Sequence, residues 1–127
     1  MLKSSIKPTL DEETREYARR LSKALEPFRG LKPIVPLTYV IAFLEVAAEE
    51  GLGVSDYAQK LDTVPTVMTR NLLDIGDRNR QREEGLGLIT QERDLHDLRK
   101  HNAFVTPKGK SLLQKSMAAS KTLPRSP

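Results

Sequence analysis

The sequence predicts a mainly α-helical fold, a winged helix-turn-helix with a small two- or three-stranded β-wing. Three observations carry that expectation. Residues 55–73 hold two short helical segments about a tight turn. Residues 88–106 hold two short strand-like segments on either side of a charged tip. Val105-Thr106-Pro107-Lys108-Gly109 then starts a new helix. This order of elements is the one a winged helix-turn-helix requires.

The elements follow from local chemistry. Thr9-Leu10-Asp11-Glu12 has the spacing of a capping box, with Thr9 as N-cap and Glu12 three residues on. Leu10, Tyr17, Leu21, Leu25 and Phe28 then recur at helical period, opposite Arg15, Glu16, Arg19, Arg20 and Lys23. So narrow a stripe needs something to lie against, either its own domain or a second copy. Pro27 and Gly30 end this helix, and Pro33 and Pro36 mark a short linker. Thr38 is placed to cap a second helix from Tyr39 to about Glu50. Val40, Ile41, Phe43, Leu44, Val46, Ala47 and Ala48 make that helix apolar nearly all round, as a buried central helix would be. Gly51 and Gly53 stop it, and Val54 can form a one-residue bridge to the wing.

In the helix-turn-helix, Ser55 is a suitable N-cap for the first helix. Asp62 sits where the turn needs a left-handed residue, which Asp tolerates better than most. Pro65 suits the first turn of the second helix, where a missing N–H costs nothing. Ala58, Leu61, Met68 and Leu72 can close a small core between the two, leaving Thr66, Thr69 and Arg70 outward. Residues 76–86 form a charged excursion before the wing, with Arg78, Arg80 and Arg82 nearly cancelled by Asp77, Glu83 and Glu84. Leu88–Glu92 and about Asn102–Thr106 read as the wing strands, with residues 93–101 at the tip. Thr106 caps a last helix with Pro107 at its first position and Leu112, Leu113 and Met117 on its apolar edge. From Ala118 onward Ser, Lys, Pro and Arg dominate, as in a flexible basic tail. The expected division is 1–36 for the first helix and linker, 37–117 for the winged helix, and 118–127 for the tail.

Composition narrows the function. With 127 residues, 38% apolar and 30% charged, this is one domain on the size prior, with long helices suited to a partner. There is no Cys, hence no disulfide, thiol chemistry or thiolate metal site. No apolar run reaches membrane-spanning length and no apolar signal segment opens the chain, so it reads as soluble and cytoplasmic. The net charge is +4, and after Asp97 no acidic residue remains against seven Lys and Arg. Such one-sided basic character fits a binder of phosphate backbones, and equally a solvated surface. His96 and His101 lack a strong third ligand beyond Asp94 and Asp97, which argues against a metal. No nucleophile motif or Gly-rich phosphate loop is present, so an enzyme is not expected and no cofactor is implied. The aromatic residues are dispersed and form no stacking platform, which favours duplex over single-stranded nucleic acid.

Several of these pieces are similar to the MarR (multiple-antibiotic-resistance regulator) family. Residues 61–72 resemble its turn and recognition helix, and Gly87-Leu88-Ile89 its Gly-Leu-Ile approach to the wing. Asp97-Leu98-Arg99 resembles its Asp-x-Arg wing motif, Val105-Thr106-Pro107-Lys108-Gly109 its Leu-Thr-Pro-x-Gly helix start, and Pro36-Leu37-Thr38 its Leu-Thr start. The resemblance covers about residues 37–113. The 76–86 excursion is longer than the family's usual connection, Leu98 replaces a frequent second Arg, and the chain lacks room for a further C-terminal helix. The resemblance implies a duplex-DNA-binding transcriptional regulator, a homodimer acting as a repressor, with any small-molecule effector unknown. On that reading Pro65, Thr66, Thr69, Arg70, Arg93, Arg99 and Lys100 contact DNA, with Arg99 in the minor groove. Asp97 supports the wing, and Leu10, Tyr17, Leu21, Leu25, Phe28 and Leu113 make the dimer. The alternatives are a plasmid or phage replication or partition protein and a winged helix used only for protein contacts.

Overall fold

The computed structural model describes residues 7–77 and 84–121. The element order is α1 (Glu12–Arg29), α2 (Leu37–Ala48), α3 (Val54–Lys60), α4 (Pro65–Ile75), β1 (Ile89–Arg93), β2 (His101–Val105) and α5 (Pro107–Lys121). The fold is the mainly α winged helix expected from the pattern. β1 and β2 form an antiparallel hairpin in which Ile89 faces Val105 and Arg93 faces His101. Each strand lies one residue away from its expected position.

The core lies where α2, α3, α4, the wing and α5 converge. Phe43, Val46, Tyr57, Met68, Leu72, Ile75, Leu88 and Ile89 are buried there. Ala58, Met68 and Leu72 close the helix-turn-helix as the sequence indicated, with Leu61 partly buried against them. Asp62 takes the left-handed turn conformation, at φ 52°. Pro65 opens α4. Thr106 caps α5: its Oγ1 accepts from the Gly109 amide at 3.1 Å and donates to the Gly87 carbonyl at 2.6 Å.

Other ends differ from expectation, each for a local reason. Asp11 caps α1 in place of Thr9, its carboxylate accepting from the Thr14 amide at 2.8 Å. A carboxylate there also faces the positive end of the helix. Pro27 lies inside the last turn of α1, where it forgoes one intrahelical amide bond, and Gly30 ends the helix. Pro36 precedes α2, so Thr38 sits within its first turn. Gly53 takes the N-cap position of α3, its amide donating to Asp56 Oδ2 at 3.1 Å, so Ser55 is helical. The contact expected of Val54 falls earlier: the Gly51 amide donates to the Ala103 carbonyl at 2.8 Å, and the Ala103 amide to the Leu52 carbonyl at 3.1 Å. Residues 118–121 continue α5 rather than beginning a tail.

Helix α2 is not buried all round. Val40, Ala42, Phe43 and Val46 face the core, while Leu37, Ile41 and Leu44 are exposed. The stripe on α1 also divides. Phe28 is buried and its ring meets Phe43 edge-on, 6.0 Å between centroids. Leu25 and, on α5, Leu113 pack partly against the same core. These three residues of the expected dimer surface therefore serve their own chain, because α1 packs on α5 and its C-terminal turn reaches α2. The Ser116 hydroxyl, donating to the Ala24 carbonyl at 2.6 Å, fixes α5 against α1. Leu10, Tyr17 and Leu21 stay exposed, Leu10 before the helix begins.

The excursion after α4 leaves and returns through a tight stem. The Gly85 amide donates to the Asp77 carbonyl, and Leu86, Gly87 and Leu88 amides to Asp74, Gly76 and Ile75 carbonyls. A Cβ on Gly85 would stand 2.3 Å from the Gly76 carbonyl oxygen, so only glycine permits this approach. Arg78, Arg80, Arg82 and Glu83 lie outside the described residues.

Candidate nucleic-acid interface

The outer face of α4 carries Pro65, Thr66, Thr69 and Arg70, all exposed. Its inner face carries Met68, Leu72 and Ile75 into the core. That division follows from the 3.6-residue period, and it fixes which side chains a partner can reach. The helix is braced from behind by the Tyr39 hydroxyl of α2, which donates to Asp74 Oδ2 at 2.5 Å. Asp74 is the buried acid of this region, and no sequence signal singled it out. Its bond spans 35 residues and is invisible to local periodicity.

Between α3, α4 and the wing lies a groove of about 550 Å³, lined by Ser55, Thr69, Gln91, Arg99, Lys100 and His101 among others. It brings the α4 residue Thr69 and the wing cations Arg99 and Lys100 to one concave surface. Thr66, Arg70 and Arg93 are not among its lining residues. Gln91 and His101 enter this surface without having been assigned to it. Gln91 shares a strand face with buried Ile89 but is only half-buried, so its place on the groove depends on how the wing folds against α4.

The wing tip is a hydrogen-bonded turn. Asp94 organises it: its carboxylate accepts from the amides of His96 at 2.7 Å and Asp97 at 3.1 Å, and from Asn102 Nδ2 at 2.9 Å. The Asp94 amide donates to the Lys100 carbonyl and the Lys100 amide to the Asp97 carbonyl, both at 2.9 Å. Asp97 Oδ1 accepts from the Arg99 amide at 3.1 Å and from its Nε at 3.3 Å. The Arg99 guanidinium is otherwise solvent-facing, 92% exposed. The sequence placed wing support on Asp97, but the larger share of the bonds falls to Asp94. Asx turns of this kind are hard to place without knowing which residues close the loop.

The Asn102 side-chain donor, followed by the two backbone amides, holds the Asp94 carboxyl down to about 2 from the ordinary 3.8. A lowered carboxyl pKa favours the folded tip above the ordinary carboxylate range, and the benefit is lost as pH falls through about 2. An NMR titration should therefore show the Asp94 carboxyl changing near pH 2. Asp94→Ala should speed exchange of the His96 and Asp97 amides at neutral pH. A midpoint near 4 would contradict the turn as described.

Elsewhere the two acidic residues just after α2 have partners. Glu49 pairs with Lys60 at 2.9 Å, and Glu50 Oε2 accepts from the Val105 amide at 2.8 Å. Among the described residues no helix is long and apolar enough to cross a membrane.

No protein-family model and no curated protein matches the sequence. Solved structures do match it. A transcriptional regulator from Thermotoga maritima is 16% identical with a TM-score of 0.67, over 86% of this chain and 70% of that one. S. aureus MepR, in a structure with DNA, is 19% identical with a TM-score of 0.60, over 84% and 77% of the two chains. A MarR family transcription regulator is 17% identical with a TM-score of 0.57, over 84% and 60%. The chain has the MarR-type winged-helix fold. Within that MarR-type frame the groove beneath the wing takes Thr69 from the outer face of α4, and α1 packs against α5.

Proposed function

We propose that the protein binds duplex DNA and regulates transcription as a homodimer, most simply as a repressor. The observation that carries this reading is the groove in which Thr69 of α4 meets Arg99 and Lys100 of the wing. A helix with small polar residues and one Arg outward can enter a major groove, while cations beside it meet the backbone. Thr66, Thr69 and Arg70 are the base-reading residues, with Pro65 at the helix start. Arg99 reaches the minor groove, where a narrow groove's negative potential attracts it. Arg93 and Lys100 take phosphates, and Asp97 steadies Arg99. Support comes also from relatives of the same fold whose structures hold DNA: MepR, CouR on a 23-mer duplex and AbfR. Pairing through the exposed part of α1 would set two recognition helices about one DNA turn apart.

The test is binding-site selection from random duplex DNA, followed by affinity measurement across salt. Affinity should fall by about tenfold or more between low and physiological salt, because several phosphates are neutralised. Arg99→Ala should weaken binding across sequences, and Arg70→Ala should also relax preference at one position, each by about 1–3 kcal/mol. No binding to any duplex at low salt would overturn the reading in favour of a protein-contact module.

A further inference from the structure

The wing tip carries two leucines that stay exposed among the described residues. Leu95 is 90% exposed and Leu98 is 63% exposed. Single exposed leucines are ordinary. Two on one short turn, both unattached to the core, are a costly way to build a solvent-facing loop, where polar residues would serve. The turn that bears them is also held. Asp94 accepts three hydrogen bonds within the tip, and Lys100 is tied to both Asp94 and Asp97 by backbone bonds. The leucines are thus presented from a braced loop.

Their surroundings indicate what they meet. Arg93, Arg99 and Lys100 flank them, all exposed. The two acids of the tip are engaged in turn bonds, Asp94 with backbone amides and Asn102, Asp97 with Arg99. Arg93, Arg99 and Lys100 outnumber Asp94 and Asp97, so the tip keeps a small positive balance around the apolar pair. A membrane-directed loop would need a larger apolar area. A weakly cationic tip with a small apolar point, next to the groove shared with α4, has the make-up of a minor-groove reader that inserts a wedge.

We propose that Leu95 and Leu98 press into the DNA minor groove as an apolar wedge, partly unstacking one base step and bending the duplex. The flanking cations would hold the adjoining phosphates, and Arg99 would lie in the groove beside the opened step. The inference rests on the duplex-DNA reading given above and adds a property to it. The preferred target carries a flexible pyrimidine–purine step under each wing, because such steps unstack at least cost. Part of the sequence preference then comes from deformability and not from base contacts.

The experiment uses the full chain and the duplex found by site selection, with 2-aminopurine placed at successive positions. Unstacking raises the fluorescence of that base. Wild-type protein should raise it severalfold at one or two neighbouring positions per half-site and at no others. The double variant Leu95→Ser/Leu98→Ser should abolish the rise and lower affinity about tenfold. Arg99→Ala should lower affinity yet keep the rise. Both leucines are exposed, so the double variant should melt like wild type, and a circular dichroism melt checks that it does. Wild-type binding with no fluorescence change at any position would overturn the wedge while leaving DNA binding intact. So would a double variant that binds as tightly as wild type, or one whose only change is in oligomeric state, which would assign the leucines to a second copy. Failure of wild type to bind any duplex would instead overturn the DNA reading itself.

Discussion

Gly109→Val should destabilise the protein by about 3 kcal/mol, near the upper end of what overpacking a well-filled core does. Gly109 is buried in the first turn of α5. A Cβ there would stand 2.3 Å from the Leu88 carbonyl oxygen, 2.8 Å from Val105 Cγ1 and 3.0 Å from Phe43 Cε1. The carbonyl cannot easily retreat, because it accepts from the Thr106 amide at 3.0 Å. Thr106 in turn caps the helix and donates to Gly87. Making room therefore means lifting α5 off the wing or breaking the bond that starts it. Even Gly109→Ala should lose stability, although alanine favours a helix by about 1 kcal/mol. Gly30→Ala is the control: its nearest neighbour to a Cβ is the Pro27 carbonyl oxygen at 3.8 Å, so it should be neutral or slightly stabilising. Urea unfolding at one fixed protein concentration reads all three through the midpoint at constant slope. A Gly109→Ala protein as stable as wild type would show that α5 is not pinned as described.

The same packing explains why some of the fold could be read from the chain. Signals held within a few residues were legible: Asp62 at the left-handed turn position, Pro65 opening α4, Thr106 and Pro107 starting α5. Each is a demand that one residue's backbone makes on its own chemistry. Competing local signals were read less well. Thr9 and Asp11 are both acceptable caps, and the geometry chose the one whose carboxylate meets the Thr14 amide. Ser55 lost the cap position because Asp56 reaches back to the Gly53 amide, a bond that starts the helix earlier.

Signals that depend on distant neighbours were not legible at all. Periodicity showed that α2 is apolar, but not that Leu37, Ile41 and Leu44 would stay uncovered. It showed the stripe on α1 without showing that Phe28 would be taken by Phe43. The Tyr39–Asp74 bond behind α4 joins two residues that look unremarkable in sequence. On the candidate DNA face, Thr66, Thr69 and Arg70 could be named from helical phase alone. Gln91 and His101 could not, because their place in the groove depends on how the wing folds against α4.

Leu21→Glu should turn a dimer into a monomer and abolish tight binding to a two-half-site duplex while leaving the fold intact. The structure removes an ambiguity in this test. Leu21 is 43% exposed and Tyr17 64% exposed, whereas the buried residue of the same stripe is Phe28, one end of the helix away. A charge at Leu21 therefore does not enter this chain's own core. In a dimer it would be an unpaired ion in an apolar contact, at a cost of several kcal/mol. Each 1.4 kcal/mol is tenfold, so the dimer Kd should rise by at least about 100-fold. Met117 on α5 is exposed as well. The contact must bury well over about 1,000 Å² to be stable, and α1 with α5 is long enough to supply it. The exposed row on α2 is the competitor, which makes Ile41→Glu the matched variant. Helix α2 packs against α4, whereas α1 packs chiefly on α5, so pairing through α1 leaves the recognition helix free for DNA. Light scattering at tens of micromolar should therefore find Leu21→Glu monomeric and Ile41→Glu dimeric, both with wild-type circular dichroism. The reverse pattern would move the interface to α2, and a monomeric wild type would leave one recognition helix to bind a single half-site alone.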